Sequence, residues 1–479
     1  MSVLERICTE PSNLELRLVH ADQLSERGDP RGTFIAHQVQ LARTDPLDAA
    51  YAPLLASTRR LETKHALKWV GDDVPALPRG GFSKVEVNAA RNAVFENGFL
   101  TRVAVTEDEL AAVWKTLSAR EPIAGVELLV REGVDLREVP EAAAFRTLKV
   151  SPDSWFTSHS VGSVLAWGLP KLEALDLSGC DLGTTGAQLL ANLETDLGDS
   201  FPDWRAPPPF VKGQLKSLVL HGCGIGDEGA ALLFAADSLS GLRTLVLSQC
   251  RLTRDATLKA LKQSKLGLTR LSLSGNKELG GHFDALAGWK ALPKLEALAL
   301  PQTVTDDDVR ALFPKPSKAL RELDVTSAKA LLETPEVLLE VSTSLTHLDL
   351  GVTSLGDEGF GALAPAFDRL LELRVNGCSL SDAAIEVLVT KGSTRLVTLD
   401  VSSNKLTDAG VKALAAWKGL EHVTHLRLGN NRKVTAAGLK ALLDAKSFEP
   451  AELDLGKVSD TRLVAQLAER FGRQTLITR

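Results

Sequence analysis

From Glu322 to Asp454, polar side chains, all but Thr398 ionisable, return in pairs two residues apart: Glu322 with Asp324, His347 with Asp349, Glu372 with Arg374, Thr398 with Asp400, His425 with Arg427, and Glu452 with Asp454. Two chemistries are open to such a set. Acids with histidines are the stuff of metal sites and proton transfer, whereas acids interleaved with bases make an electrostatic docking surface. Spacing argues against the first. If each pair sits on its own strand, His347 and His425 lie three strands apart, roughly 15 Å, too far to share a metal. The acids stand among bases and in water, so no shift of their pKa values is expected. There is no G-x-x-x-x-G-K-S/T, H-E-x-x-H or G-x-S-x-G. The run Asp306, Asp307, Asp308 reads as the acidic first turn of a helix. A second cluster, Asp22, Glu26, Arg27, Asp29, Arg31 and His37, is explained by caps and surface ion pairs. No catalytic, cofactor-binding or metal-binding residue is assigned.

The elements that must carry these pairs are written in the leucines. LKSLVLHGCGI (215 to 225), LRTLVLSQCRL (242 to 252) and LVTLDVSSNKL (396 to 406) all follow L-x-x-L-x-L-x-x-N/C-x-L, the leucine-rich-repeat signature. The first position is filled by Leu172, Leu215, Leu242, Leu268, Leu295, Leu320, Leu345, Leu370, Leu396, Val423 and Pro450, with a mean period of about 26 from Leu215 onward. Degenerate copies begin at Leu100, Ile123 and Phe145, and Phe82-Ser-Lys-Val85-Glu-Val87 could open the series. L-x-x-L-x-L is a short strand whose alternate residues face one way. Segments such as GDEGAALLF (226 to 234) and TDAGVKALAAW (407 to 417) then read as amphipathic helices opened by Asp or Thr. The predicted fold class is α/β, a leucine-rich-repeat solenoid with a curved parallel sheet inside and helices outside, and no coil buries its leucines alone.

The ninth position holds Cys180, Cys223, Cys250 and Cys378, with Asn276, Asn404 and Asn431 in other copies. That position turns inward to bond the backbone of the turn, so these cysteines read as structural rather than redox or metal-binding. The third and fifth positions point out of the sheet. Apart from Arg270, coils from 215 to 299 carry small, neutral residues there, whereas those from 320 onward are mostly charged. Ion pairs between neighbouring strands, Asp349 with Arg374 and Arg374 with Asp400, would account for part of the pattern at about 0.2–1 kcal/mol each. A docking surface accounts for it as well, and its residues are then Glu322, Asp324, His347, Asp349, Glu372, Arg374, Asp400, His425, Arg427 and Asp454.

The first 80 residues read as a small all-helical module. Ser2-x-x-Glu5 and Ser12-x-x-Glu15 are capping boxes, Gly28 ends the second helix, Asp29 and Pro30 start the third, and a fourth runs from about Leu54 to Trp69. The run LVHADQLSERGDPRGTFIAHQVQL (18 to 41) resembles the repeat-companion domain found at the N-terminus of bacterial leucine-rich-repeat proteins, with Gln23 where that family usually has Trp. LLASTRRLETKHALKWVG and NGFLTRVAV resemble the family's connecting segment, and the repeats are similar to the ribonuclease-inhibitor and cysteine-containing types. The resemblance implies an architecture: residues 1–80 as companion domain, 81–170 as divergent repeats and 171–479 as the main solenoid. It implies no biochemical role.

Between Leu172 and Leu215 the spacing stretches by about 17 residues over the mean period. The excess, near 193–213, holds Pro202, Pro207, Pro208 and Pro209 beside Phe201, Trp204 and Phe210. It reads as an inserted loop, with Trp204 the anchor if it binds anything.

The chain has 479 residues, 44% of them hydrophobic, and a net charge of −6. No basic stripe marks a nucleic-acid binder and no apolar run approaches a membrane span. The start, MSVLERICTEPSNLELR, lacks the apolar core of a secretory signal, so a cytoplasmic monomer is expected. The function these readings favour is a non-enzymatic scaffold binding a protein partner, one with a basic segment, through the concave strand face. The alternative is an enzyme regulator or accessory protein acting through the N-terminal helices.

Overall fold

The computed structural model describes residues 1–71, 93–130, 144–152, 169–192, 211–253, 255–329, 334–392 and 394–478. The strand-like piece at 82–87 and most of the 193–213 insertion, including Trp204, lie outside the described residues. The chain forms two compact units, one of residues 1–39 and 65–295, the other of 40–64 and 296–479. The helical stretch expected over 1–80 is thus divided between them.

In the first unit, α1 (Val3–Thr9) starts at the Ser2–Glu5 capping box. Helix α2 (Leu14–Ser25) is capped by Asn13, whose side chain accepts from Leu16 N–H, and not by Ser12. Asn caps as well as Ser and stands directly before the first helical residue, so it takes the role. Gly28 has φ +71°, and Asp29 accepts from Arg31 N–H at the start of α3 (Pro30–Arg43). Of helix α4 (Tyr51–Val70), residues 65–70 belong to this unit and 51–64 to the second.

The charged motif around α3 turns out to fasten these helices to the first coil. Arg31 donates to both carboxylate oxygens of Glu121 at 2.8 Å, and Glu121 in turn accepts from Leu100 N–H. Arg17 donates to the carbonyls of Glu96, Asn97 and Pro11, while Gln38 accepts from Gly98 N–H. Gly32 is required because a Cβ there would run into Ser25 and the Ala21 carbonyl. Phe34 stacks on Trp69, and Ile35, Val39, Ile7, Leu16 and Ala21 close a core over Phe99. A repeat stack needs such a terminal cover, since its end coil would otherwise expose its leucines.

Strands β1 (Ala93–Glu96) and β2 (Phe99–Thr106) are antiparallel. From β2 the pairing is parallel through β3 (Gly125–Val130), β4 (Thr147–Pro152), β5 (Ala174–Asp176), β6 (Ser217–Val219), β7 (Thr244–Val246) and β8 (Arg270–Ser272). Val103, Val126, Leu148, Leu175 and Leu218 align across the strands, so the degenerate copies keep the repeat register. The coil after β8 carries two 3-10 turns, Phe283–Leu286 and Leu292–Lys294, instead of an α-helix. Gly281 and Gly288 with positive φ, and Pro293, leave no uninterrupted stretch for one.

The second unit stacks β9 (Ala297–Ala299), β10 (Glu322–Asp324), β11 (His347–Asp349), β12 (Glu372–Arg374), β13 (Thr398–Asp400), β14 (His425–Arg427), β15 (Glu452–Gly456) and β16 (Leu476–Thr478), all parallel. Helices pack wider than the ~4.8 Å between strands, so the strand side is the concave one.

Two ladders lock successive coils. Asn404 accepts from Cys378 N–H and Leu380 N–H and donates to the carbonyls of Val375 and Val401; Asn276 and Asn431 act alike. Cys223, Cys250 and Cys378 donate Sγ–H to the Leu177, Leu220 and Leu350 carbonyls. All five cysteines are free thiols. Burial pushes those of the ladder up, Cys180 to about 12 and Cys250 to about 11, which leaves them poor nucleophiles. On the helical side, Asp227, Asp357, Asp382 and Asp408 each accept from both the backbone N–H and the hydroxyl of Thr253, Ser381, Thr407 and Thr435 in the next coil. These aspartates therefore bridge coils as well as serving the helix dipole.

Candidate functional site: the strand face of the second unit

In each strand the middle leucine points into the stack. Leu323, Leu348, Leu373, Leu399, Leu426 and Leu453 are at most 3% exposed. Their neighbours must then face the concavity. The register aligns them into two columns, Glu322–His347–Glu372–Thr398–His425–Glu452 and Asp324–Asp349–Arg374–Asp400–Arg427–Asp454. All ten residues singled out in the sequence stand on this one face.

The second column has a structural duty. Asp324, Asp349, Asp400 and Asp454 each accept from the N–H two residues on, at Thr326, Gly351, Ser402 and Gly456. This Asx turn ends the strand, and Asp176 does the same for Ser178. The cations are freer. Arg374 lies 3.8 Å from Asp349 and donates to Glu372 at 2.9 Å; Arg427 lies 3.9 Å from Asp400 and donates to Glu452 at 2.8 Å. The expected Arg374–Asp400 pair is replaced, among the described residues, by Arg427–Asp400. Both guanidinium side chains keep about 40% of their surface exposed, 41% and 42%. In the turn after β11, Val352, 42% exposed, sits at φ +61°, a conformation that costs a β-branched residue about 1–2 kcal/mol.

The first column is covered by the unit's own chain. Helix α4 lays residues 51–64 over it. Arg59 donates to Glu372 and Thr398, at 2.8 and 2.9 Å, and reaches His425 Nδ1 at 3.5 Å. Arg60 donates to the carbonyls of Glu421 and Glu449. The preceding loop is held by Arg395, which donates to the carbonyls of Pro46, Leu47 and Asp48, and by Arg321, 3.3 Å from Asp45. Ala52 and Ala56 pack on Leu371 and Val397.

The expectation that the acids of the face show no pKa shift fails at Asp349 and Glu372. Burial pushes Asp349 up, only partly offset by the Gly351 N–H. Burial would also raise Glu372, but the Arg59 charge and hydrogen bond outweigh it and hold the carboxyl down. Burial lowers His347, and burial together with Arg59 takes His425 down to about 4. Both rings bind fewer protons folded than unfolded. The stability they confer as neutral groups is complete above the unfolded value of ~6.5 and is lost as pH falls towards the lower folded value, about 4 for His425. Melting of His425→Asn should therefore drop less between pH 7 and pH 5 than melting of the unaltered chain. Parallel pH profiles would show that the ring is not held neutral.

The sequence reading missed Leu371 and Val397 and their cover. A signal was present: at the second position the other charged coils carry Arg321, Thr346, Thr424 and Ala451, so a large apolar residue occurs there only in these two adjacent coils. Ala52, Ala56, Arg59 and Arg60 likewise share one helical face by spacing. Among the described residues no three His, Cys, Asp or Glu side chains converge as metal ligands would. None of the described helices is long and apolar enough to cross a membrane.

The stacked coils, the inward leucines and the Asn/Cys ladder define a leucine-rich-repeat architecture, and the family described as "Leucine Rich repeat" matches residues 168–191, 215–234, 341–364, 392–415 and 419–443. The chain carries these repeats in both units. Among curated proteins, it is similar to "NACHT, LRR and PYD domains-containing protein 4E" of Mus musculus, 36% identical over 83 residues, which make up 16% of this chain and only 8% of that protein. Among solved structures it is similar to a chain of the Rad7 and Elc1 complex in yeast, at 17% identity and a TM-score of 0.42, covering 61% of this chain and 89% of that one. It is also similar to an internalin (inlF) from Listeria monocytogenes, at 17% identity and a TM-score of 0.39, covering 73% and 86%.

Proposed function

We propose that this chain is a cytoplasmic, monomeric, non-enzymatic scaffold that binds a protein partner on the strand face of coils 320 to 454. The observation that carries the reading is the column of alternating charge, where Arg374 and Arg427 remain two-fifths exposed. Exposed arginines set among acids make an electrostatically patterned docking surface. The acids of the same column, Asp324, Asp349, Asp400 and Asp454, serve chiefly to fix the turns that present it. Residues 1–39 act in this reading as a companion domain of the bacterial type that caps the stack. The engagement of Arg31, Asp29 and Gln38 in that cap favours scaffold over a regulatory module of helices.

Charge reversal separates binding from folding best at the arginines. Reversing Asp349 or Asp400 removes a turn acceptor as well as a charge. Arg374→Glu with Arg427→Glu should reduce capture of the partner at least tenfold while thermal melting stays cooperative. Equal recovery of the same partner by the folded double variant would sink the reading.

A further inference from the structure

The segment covering the first column does not have the composition of a permanent core. Its apolar contact is two alanines on Leu371 and Val397, with Tyr51 and Leu55 at the margin. The rest is directional and polar: Arg59 on Glu372, Thr398 and His425, and Arg60 on two carbonyls. A surface buried for good is cheaper to build from apolar residues, because a buried ion pair recovers little more than its desolvation cost. Polar groups are tolerated where a surface is at times open to water, since they then remain solvated. Leu371 and Val397 are both 0% exposed beneath the helix. They form a two-residue apolar floor, one coil wide, flanked by Glu372 and Thr398, in a column that elsewhere is polar or small. The floor matches one helical face, small residues at i and i+4 followed by arginine at i+7.

We propose that this floor is a receptor groove for a helix bearing small residues one turn apart followed by arginine, with residues 51–64 as its resident, exchangeable occupant. A partner helix of the same chemistry binds by displacing them. The inference rests on the reading of the strand face as an interaction surface, and it names the partner's chemistry. The resident helix is tethered, at an effective concentration on the order of millimolar, so a free competitor must contend with it. Displacement would join the groove to the column of Arg374 and Arg427.

The probe is a labelled, end-capped peptide of residues 51–64, titrated into the full chain by fluorescence anisotropy. The unaltered chain should bind it weakly, and Arg59→Ala with Arg60→Ala should bind it at least tenfold more tightly. Adding Glu372→Arg to that variant should remove the gain. No gain from the double variant, or a gain that survives Glu372→Arg, overturns the proposal. Should the double variant fail to fold, hydrogen exchange on the unaltered chain decides. Faster exchange of amides 54–64 than of strands β12 to β14 supports an exchangeable occupant, and equal protection overturns it. Failure here leaves the Arg374/Arg427 reversal, which probes the other column, standing or falling separately.

Discussion

Replacing Arg31 with alanine should cost the first unit about 3–5 kcal/mol, the penalty for leaving a buried charge without its partner. Glu121 is only 3% exposed, receives two 2.8 Å bonds from one guanidinium and, among the described residues, accepts besides from the Leu100 N–H. The loss falls where α3 is fastened to the first coil, so the end of the stack should open first. Urea denaturation followed by tryptophan fluorescence would report it, because Trp69 and Trp114 are buried in this unit. Arg31→Met with Glu121→Gln should recover part of the loss by removing the stranded charge. A single-variant cost below about 1 kcal/mol would mean that the motif is not a fastening.

Asn404→Ala should be nearly as severe in the second unit, about 3 kcal/mol or more. Two backbone N–H groups lose their acceptor and two carbonyls lose a donor, all in the interior, where each orphaned group costs about 1–3 kcal/mol. Asn404→Cys should do less harm. A thiol still donates to a carbonyl as Cys378 does, although it cannot satisfy the two N–H groups. Thermal melts should rank unaltered above Cys above Ala; an alanine variant within about 1 kcal/mol of the unaltered chain would contradict the ladder's role.

What could be read from the sequence followed from period. The first, fourth and sixth leucines of each copy set strand positions and register, even for the weak copies at Leu100, Ile123 and Phe145, because one residue of slip would turn every leucine outward. The ninth-position cysteines and asparagines were legible for the same reason. The acids at the fifth position were visible but half understood. Asp400-Val-Ser402 and Asp454-Leu-Gly456 are Asx-turn sequences, and that local chemistry accounts for an aspartate at the fifth position independently of any docking role. The cover of the first column was not legible from period at all. Arg59 and Glu372 are more than three hundred residues apart, and nothing in a 26-residue repeat announces which distant helix lies across it. Only the break in pattern at Leu371 and Val397 hinted that something did.

The docking surface we propose is therefore narrower than the sequence implied: one column is occupied from within, and the other presents its arginines. Photo-crosslinking in the native cell tests this most directly. A benzophenone amino acid at position 376, two residues beyond Arg374 and on the same side by strand alternation, leaves both arginines in place, and one at the exposed Lys440 position lies on the helical side of the same unit. A discrete partner adduct from 376 that is missing from 440 is the expected result. Adducts from 440 with none from 376 would contradict the assignment of the strand face as the binding surface.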